Sequence, residues 1–199
     1  MPSPAATSTI VAQAFRLMEL SPISSFADDT DQARAAAEQY QVAIDLCLEA
    51  CDWSFASVLE DLPELAALPD GNASDPNLPF SYKLPGGCLA IRELGDAGTR
   101  WRRDRDLIRA DQSGPLMIRY TATIATESLL PATFRAAVAW RLAALLAPLW
   151  NGTAARQQQL EGGADQSLRA AMRQDARQSG SERYDGQPEQ PNWVEFALR

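Results

Sequence analysis

The chain reads as an α+β protein, mainly α, and two observations predict this. Between residues 131 and 150 apolar side chains recur at three- and four-residue steps, with Phe134, Val138, Leu142, Leu145, Leu146 and Leu149 on one stripe. Between residues 80 and 124 the period falls to two, most clearly over 116–124, as expected of half-buried strands. Together they predict a helical bundle with an inserted small antiparallel β-sheet or hairpin (about 80–124), all within a body spanning 1–178. An extended C-terminal tail, 179–199, follows. The predicted central helix also carries Ala136, Ala139, Ala143, Ala144 and Ala147. Such small residues let neighbours approach closely, so this helix belongs inside a bundle or between subunits.

Taken in order, Ser8-Thr9 caps a first helix with Ile10 or Val11, Ala14 and Met18 inside, and Ser21-Pro22 ends it. Asp28-Asp29-Thr30-Asp31 places acids where the positive end of a second helix dipole favours them. That helix shows Ala33, Ala37, Tyr40, Ile44, Cys47, Leu48 and Cys51 on one side, and its pattern runs on through Trp53 and Phe55 to Leu62. Residues 63–79, rich in proline, glycine, asparagine and aspartate, read as a loop. Two short strands, 80–84 and 88–94, are joined by Pro85-Gly86-Gly87. Residues 99–103 and 107–110 form a hairpin about Asp104-Arg105-Asp106, and the strand 116–124 follows. Pro131 suits a first helical turn and Asn151-Gly152 a stop. Residues 153–178 repeat Leu160, Ala164, Leu168, Ala171 and Met172 at helical spacing, but Gly162-Gly163, at about 1 kcal/mol each relative to alanine, predicts two pieces or a kink. Residues 179–191 have the composition of a disordered segment.

Composition narrows the function. A net charge of −8 disfavours wrapping of nucleic acid, which needs clustered cations. The absence of histidine removes Ser-His-Asp and Cys-His nucleophilic sites and histidine-ligated metals. Residues 1–9 show no secretory signal, and the apolar run 136–150 is short and broken by Arg141, so no membrane span is expected. Without a signal, Cys47, Cys51 and Cys88 fit a reducing compartment.

Cys47 and Cys51, one helical turn apart, could hold a metal or a disulfide, but both sit on the apolar stripe and read as core. The oxygen-rich run 70–75 lacks the spacing and closing glutamate of a calcium loop. Asp28, Asp29 and Asp31 are explained by helix-start electrostatics. No catalytic, metal or cofactor constellation is expected. Two surface features remain. Arg100, Trp101, Arg102, Arg103 and Arg105 make a basic, aromatic-bearing hairpin, by default a solvated strand face; as a functional surface it reads as a protein contact in preference to a DNA-facing loop. Trp193, Val194, Phe196 and Leu198 alternate about Glu195, as in a strand laid on another protein or folded back on its own domain.

The ordered set of features resembles the head–tail adaptor (connector) proteins of tailed bacteriophages. The residues that carry the resemblance are Leu20-Ser21-Pro22-Ile23-Ser24-Ser25 after the first helix and Cys51-Asp52-Trp53-Ser54-Phe55-Ala56, similar to the family's Trp-x-Phe-Ala. Phe80 to Leu89 is similar to its Tyr-x-Leu-Pro-x-Asp-Cys-Leu stretch, with Gly87 where aspartate is usual. Ile118-Arg119-Tyr120 is then followed by Pro131, Phe134 and Arg141-Leu142-Ala143. The match spans roughly residues 9–177.

The resemblance implies a non-enzymatic homo-oligomer, a dodecameric ring in the virion neck that extends the DNA channel. It would lie between the portal protein above and a stopper or tail protein below. Double-stranded DNA would pass without sequence-specific binding. It also implies portal docking by a C-terminal segment, expected here through Trp193, Val194, Phe196 and Leu198, and the hairpin residues Trp101, Arg102, Arg103 and Arg105 are expected to face the tail side. Two rivals are a small monomeric or dimeric scaffolding or regulatory protein, and a hydrolase using paired acids such as Glu60 and Asp75.

Overall fold

The computed structural model describes residues 8–68, 73–96, 98–150 and 153–178. The chain divides into two compact units, one contributed by the chain up to Phe55 and from Ile124 onward, the other by Ala56–Thr123.

Among the described residues the first unit holds four α-helices: α1 (Thr9–Leu17), α2 (Asp31–Glu49), α3 (Ala132–Trp150) and α4 (Ala154–Gln178). Their ends follow from local chemistry. Ser8 Oγ accepts from the Val11 amide at 3.2 Å and Thr30 Oγ1 from the Ala33 amide at 3.1 Å, each satisfying a donor left open by the first turn. α1 closes with Glu19 in the left-handed region (φ 63°), so that the Leu20 amide donates back to Phe15 O at 2.9 Å. Arg156 then donates to the Leu17 carbonyl at 2.8 Å, binding the start of α4 to the end of α1.

α3 is the core of this unit. It packs against each of the other three helices, and Phe134, Ala137, Val138, Ala139, Leu142, Ala143, Leu146 and Ala147 are all fully buried along it. The helix is long and apolar enough to cross a membrane by length and composition alone, and the positions it buries are all apolar. Leu149, placed on the buried stripe by periodicity, is 63% exposed beside Pro148 in the last turn. The expected stop at Asn151-Gly152 lies outside the described residues.

Two helix expectations are corrected. α2 does not run to Leu62; it ends at Glu49, and Ser57–Leu62 is a strand. The cause is Trp53, whose indole N–H donates to the Cys47 carbonyl at 2.8 Å in a buried site. That carbonyl would otherwise accept from the next helical turn, so the chain folds back into the 3-10 turn Ser54–Ala56. The buried stripe of α2 is Ala33, Ala36, Ala43, Ile44, Cys47 and Leu48, with Ala37 exposed. α4, for its part, is continuous through Gly162-Gly163. A Cβ on Gly163 would stand 2.4 Å from Trp140 Cζ3, so glycine here is what lets α3 and α4 approach. Burial of Leu160, Ala164 and Ala171 offsets its propensity cost.

Among the described residues the second unit holds six strands: β1 (Ser57–Leu62), β2 (Phe80–Lys83), β3 (Cys88–Leu94), β4 (Trp101–Asp104), β5 (Leu107–Ala110) and β6 (Leu116–Ala122). They form two three-stranded antiparallel sheets, β1-β6-β3 and β2-β5-β4, in place of the single small sheet beginning near residue 80 that alternation predicts. β2 and β3 are consecutive but enter different sheets. The turn between them places Gly87 at φ 83°, where its missing Cβ clears Thr123 Cγ2 at 3.0 Å. Leu62, Tyr82, Leu94, Ile108, Leu116 and Ile118, drawn from both sheets, pack as one core.

The two adjacent glycines of α4 make a matched test. A methyl group on Gly162 would meet nothing within 4 Å, so Gly162→Ala should stabilise the chain by about 0.5–1 kcal/mol in urea unfolding. Gly163→Ala should destabilise it by about 1–3 kcal/mol, and pairing it with Trp140→Ala should recover part of the loss.

Candidate functional site

The basic hairpin forms as a two-residue turn, with Asp104 opposite Leu107 and Arg105 at φ 58° in the turn itself. Alternation separates its side chains. Trp101 and Arg103 share one face of the sheet, and Arg102, Asp104 and Arg109 share the other. Trp101 is 42% exposed, and the guanidinium of Arg103 donates to the Arg105 carbonyl at 3.2 Å.

Its charge is largely compensated, a feature that composition does not reveal. Arg102 binds both oxygens of Asp104 at 2.8 and 2.9 Å and reaches Asp75 at 3.2 Å. Arg100 pairs with Asp111 at 2.8 Å, and the buried Arg109 with Asp104 at 2.8 Å. Hydrogen bonds from Arg102, followed by its charge and those of Arg109, hold the Asp104 carboxyl below the usual range. Asp111 is lowered in the same way by Arg100. What the hairpin presents is therefore Trp101 beside Arg103 on one face, with Arg102 paired to carboxylates on the other. The missed signal lay in the acids interleaved at 104, 106 and 111. Arg109 Nη1 and Ser81 Oγ, cross-strand neighbours, are buried and have no hydrogen-bond partner among the described residues.

The other candidates resolve separately. Glu60 accepts from the Tyr120 hydroxyl at 3.2 Å, whereas Asp75 serves Arg102 and the Asn77 amide. The two carboxylates considered as a pair thus answer to different partners. Cys47, Cys51 and Cys88 are buried and in no disulfide among the described residues. Burial pushes the Cys47 thiol up to about 12, against the opposing charge of Arg141, and raises Cys88 as well. Among the described residues no three metal-ligating side chains cluster. Asp70, Gly71 and Asn72 of the oxygen-rich run, and Trp193, Val194, Phe196 and Leu198 of the tail, lie outside the described residues.

In the helical unit, two stretches far apart in sequence converge. Trp53 and Phe55 stack on Phe134 with ring centroids 4.9 and 5.0 Å away, both edge-on. Beside them is a recess of about 240 Å³, bordered by Pro131, Ala171 and Gln174. Asp175, buried on α4, accepts from the Ser54 hydroxyl at 2.7 Å and the Ser54 amide at 3.0 Å, fixing the chain as it leaves α2.

Periodicity also passes over Glu127, which precedes α3. Its carboxylate accepts from Ser8 Oγ at 2.6 Å, Tyr40 Oη at 2.9 Å, the Thr9 amide at 3.1 Å and the Thr9 hydroxyl. It therefore joins the positive end of α1 to α2. Partial burial opposes its ionisation, but these hydrogen bonds prevail and the carboxyl is held below its ordinary value. Burial, reinforced by Glu127, pushes the Tyr40 phenol up to about 12.

No family model matches the chain, and no curated protein matches it either.

Because the Glu127 carboxyl is lowered on folding, its contribution is complete above the ordinary value of 4.5 and is lost as pH falls through the lower folded value. Glu127→Gln should therefore reduce stability near neutral pH and flatten the acid limb of a urea-midpoint curve. A limb as steep as in the unsubstituted chain would show that other carboxylates set it.

Proposed function

We propose that this chain is a structural head–tail adaptor of a tailed bacteriophage, a subunit of a ring between portal and tail. The observation that supports it best is the meeting of Trp53 and Phe55 with Phe134. These residues belong to widely separated stretches of the adaptor-like pattern, and their contact gives that pattern a physical meaning. They form one aromatic joint between the end of α2 and the start of α3, the two points at which the chain leaves and re-enters the helical unit. Of the other stretches, Phe80 to Leu89 runs through β2 and its turn into β3, and Ile118-Arg119-Tyr120 is the middle of β6.

On this reading the protein works by shape and performs no reaction. The helices form a bundle that packs side by side with its copies, twelve in the full ring, in the neck of the virion. Trp193, Val194, Phe196 and Leu198 anchor on the portal, and the hairpin of Trp101, Arg102, Arg103 and Arg105 meets a stopper or tail protein. A hairpin with compensated charge suits a protein partner better than a phosphate backbone. The net charge of −8 likewise lets duplex DNA slide past without being held.

Deleting residues 190–199 should leave the helical circular dichroism intact and abolish capture on portal rings. Undiminished capture would refute the anchoring role. In assembled necks, a cross-linker carried on Trp101→Cys should attach to the stopper or tail protein, and attachment to the portal would reverse that placement.

A further inference from the structure

The helical unit carries two solvent-facing stripes of opposite sign. On α2 the exposed positions Glu38, Val42, Leu46 and Glu49 follow one another at helical spacing, with Val42 and Leu46 each 44% exposed. This is an apolar pair between two acids. On α4 the exposed positions Arg169, Arg173 and Arg177 recur every four residues, with the exposed Ala170 beside them. No ion pair among the described residues takes up any of these three arginines. Their methylene stems can cover apolar side chains while the guanidinium groups reach carboxylates.

Both helices pack on α3, with no extended packing between α2 and α4, so one unit offers both stripes at different places. A surface that is complementary to another part of the same molecule favours head-to-tail association, since two α2 stripes or two α4 stripes would oppose like charges.

We propose that the α2 stripe of one copy receives the α4 stripe of the next, with Glu38 and Glu49 meeting arginines of the 169–177 row and Val42 and Leu46 covered by their stems. The proposal rests on the ring reading above and names the contact that would propagate it. The occupant is a second copy because this chain itself carries both stripes, opposite in sign and each exposed along one helix.

The test uses two charge-reversed full-length variants, Glu38→Arg with Glu49→Arg, and Arg169→Glu with Arg173→Glu. Their association is measured by sedimentation velocity beside the unsubstituted chain, with circular dichroism as the folding control. Each variant alone should lose about tenfold or more in association constant. An equimolar mixture should recover it, because acidic α4 then meets basic α2 and the native pairing serves the alternate contact. Raising salt from about 0.05 to about 0.5 M should weaken the native contact. If both variants associate as the unsubstituted chain does, or the mixture fails to recover, the interface is overturned while the ring reading stands. If the unsubstituted chain stays monomeric up to its solubility limit, with and without portal rings, the ring reading falls and the interface with it.

Discussion

Burial of α3 on three sides is the constraint to which the helical unit answers. Such a helix needs small residues wherever a neighbour crosses, and Ala137, Ala139, Ala143 and Ala147 supply them. The same demand passes to its partners. Gly163 leaves room for Trp140, and Ala164 and Ala171 keep α4 close. The ends are then tied by polar contacts that reach across the sequence, Glu127 to α1 and α2, Asp175 to Ser54, and Arg156 to the end of α1. Hydrophobic packing brings these helices together, and a few charge-assisted hydrogen bonds fix where each begins and ends.

The sequence is most legible where one physical rule acts alone. The cap at Ser8, the strand β6 and the hairpin turn at Arg105 and Asp106 can all be read from it, because capping and period-two alternation are local. It misleads where a distant contact overrides local preference. Residues 57–62 continue a plausible helical pattern, but the Trp53–Cys47 hydrogen bond ends that helix and pairing with β6 makes a strand. Gly162-Gly163 resembles a break because propensity cannot register a tryptophan ring lying over one of the two. The division of the strands into two sheets is hidden for a related reason, since alternation fixes which face a side chain takes and not which strand lies beside it.

The candidate surface is visible in outline only. Arginines and a tryptophan at 100–105 stand out in any reading, but their neutralisation depends on Asp75, Asp104 and Asp111 arriving from the loop and the paired strands. Net charge per segment therefore overstates the field of the hairpin. On α2 and α4 the reverse holds. There the stripes are within single helices, and exposure, which only the fold supplies, separates Arg169, Arg173 and Arg177 from the paired Arg141 and Arg156.

The three buried thiols have a practical corollary. With Cys47, Cys51 and Cys88 shielded from solvent and disfavoured as thiolates where burial raises them, maleimide chemistry would react slowly with the native chain. A cysteine newly introduced on an outward helix face could then carry a dye or spin label in the natural background. Distances between labelled positions would become measurable without first stripping sulfur from the core.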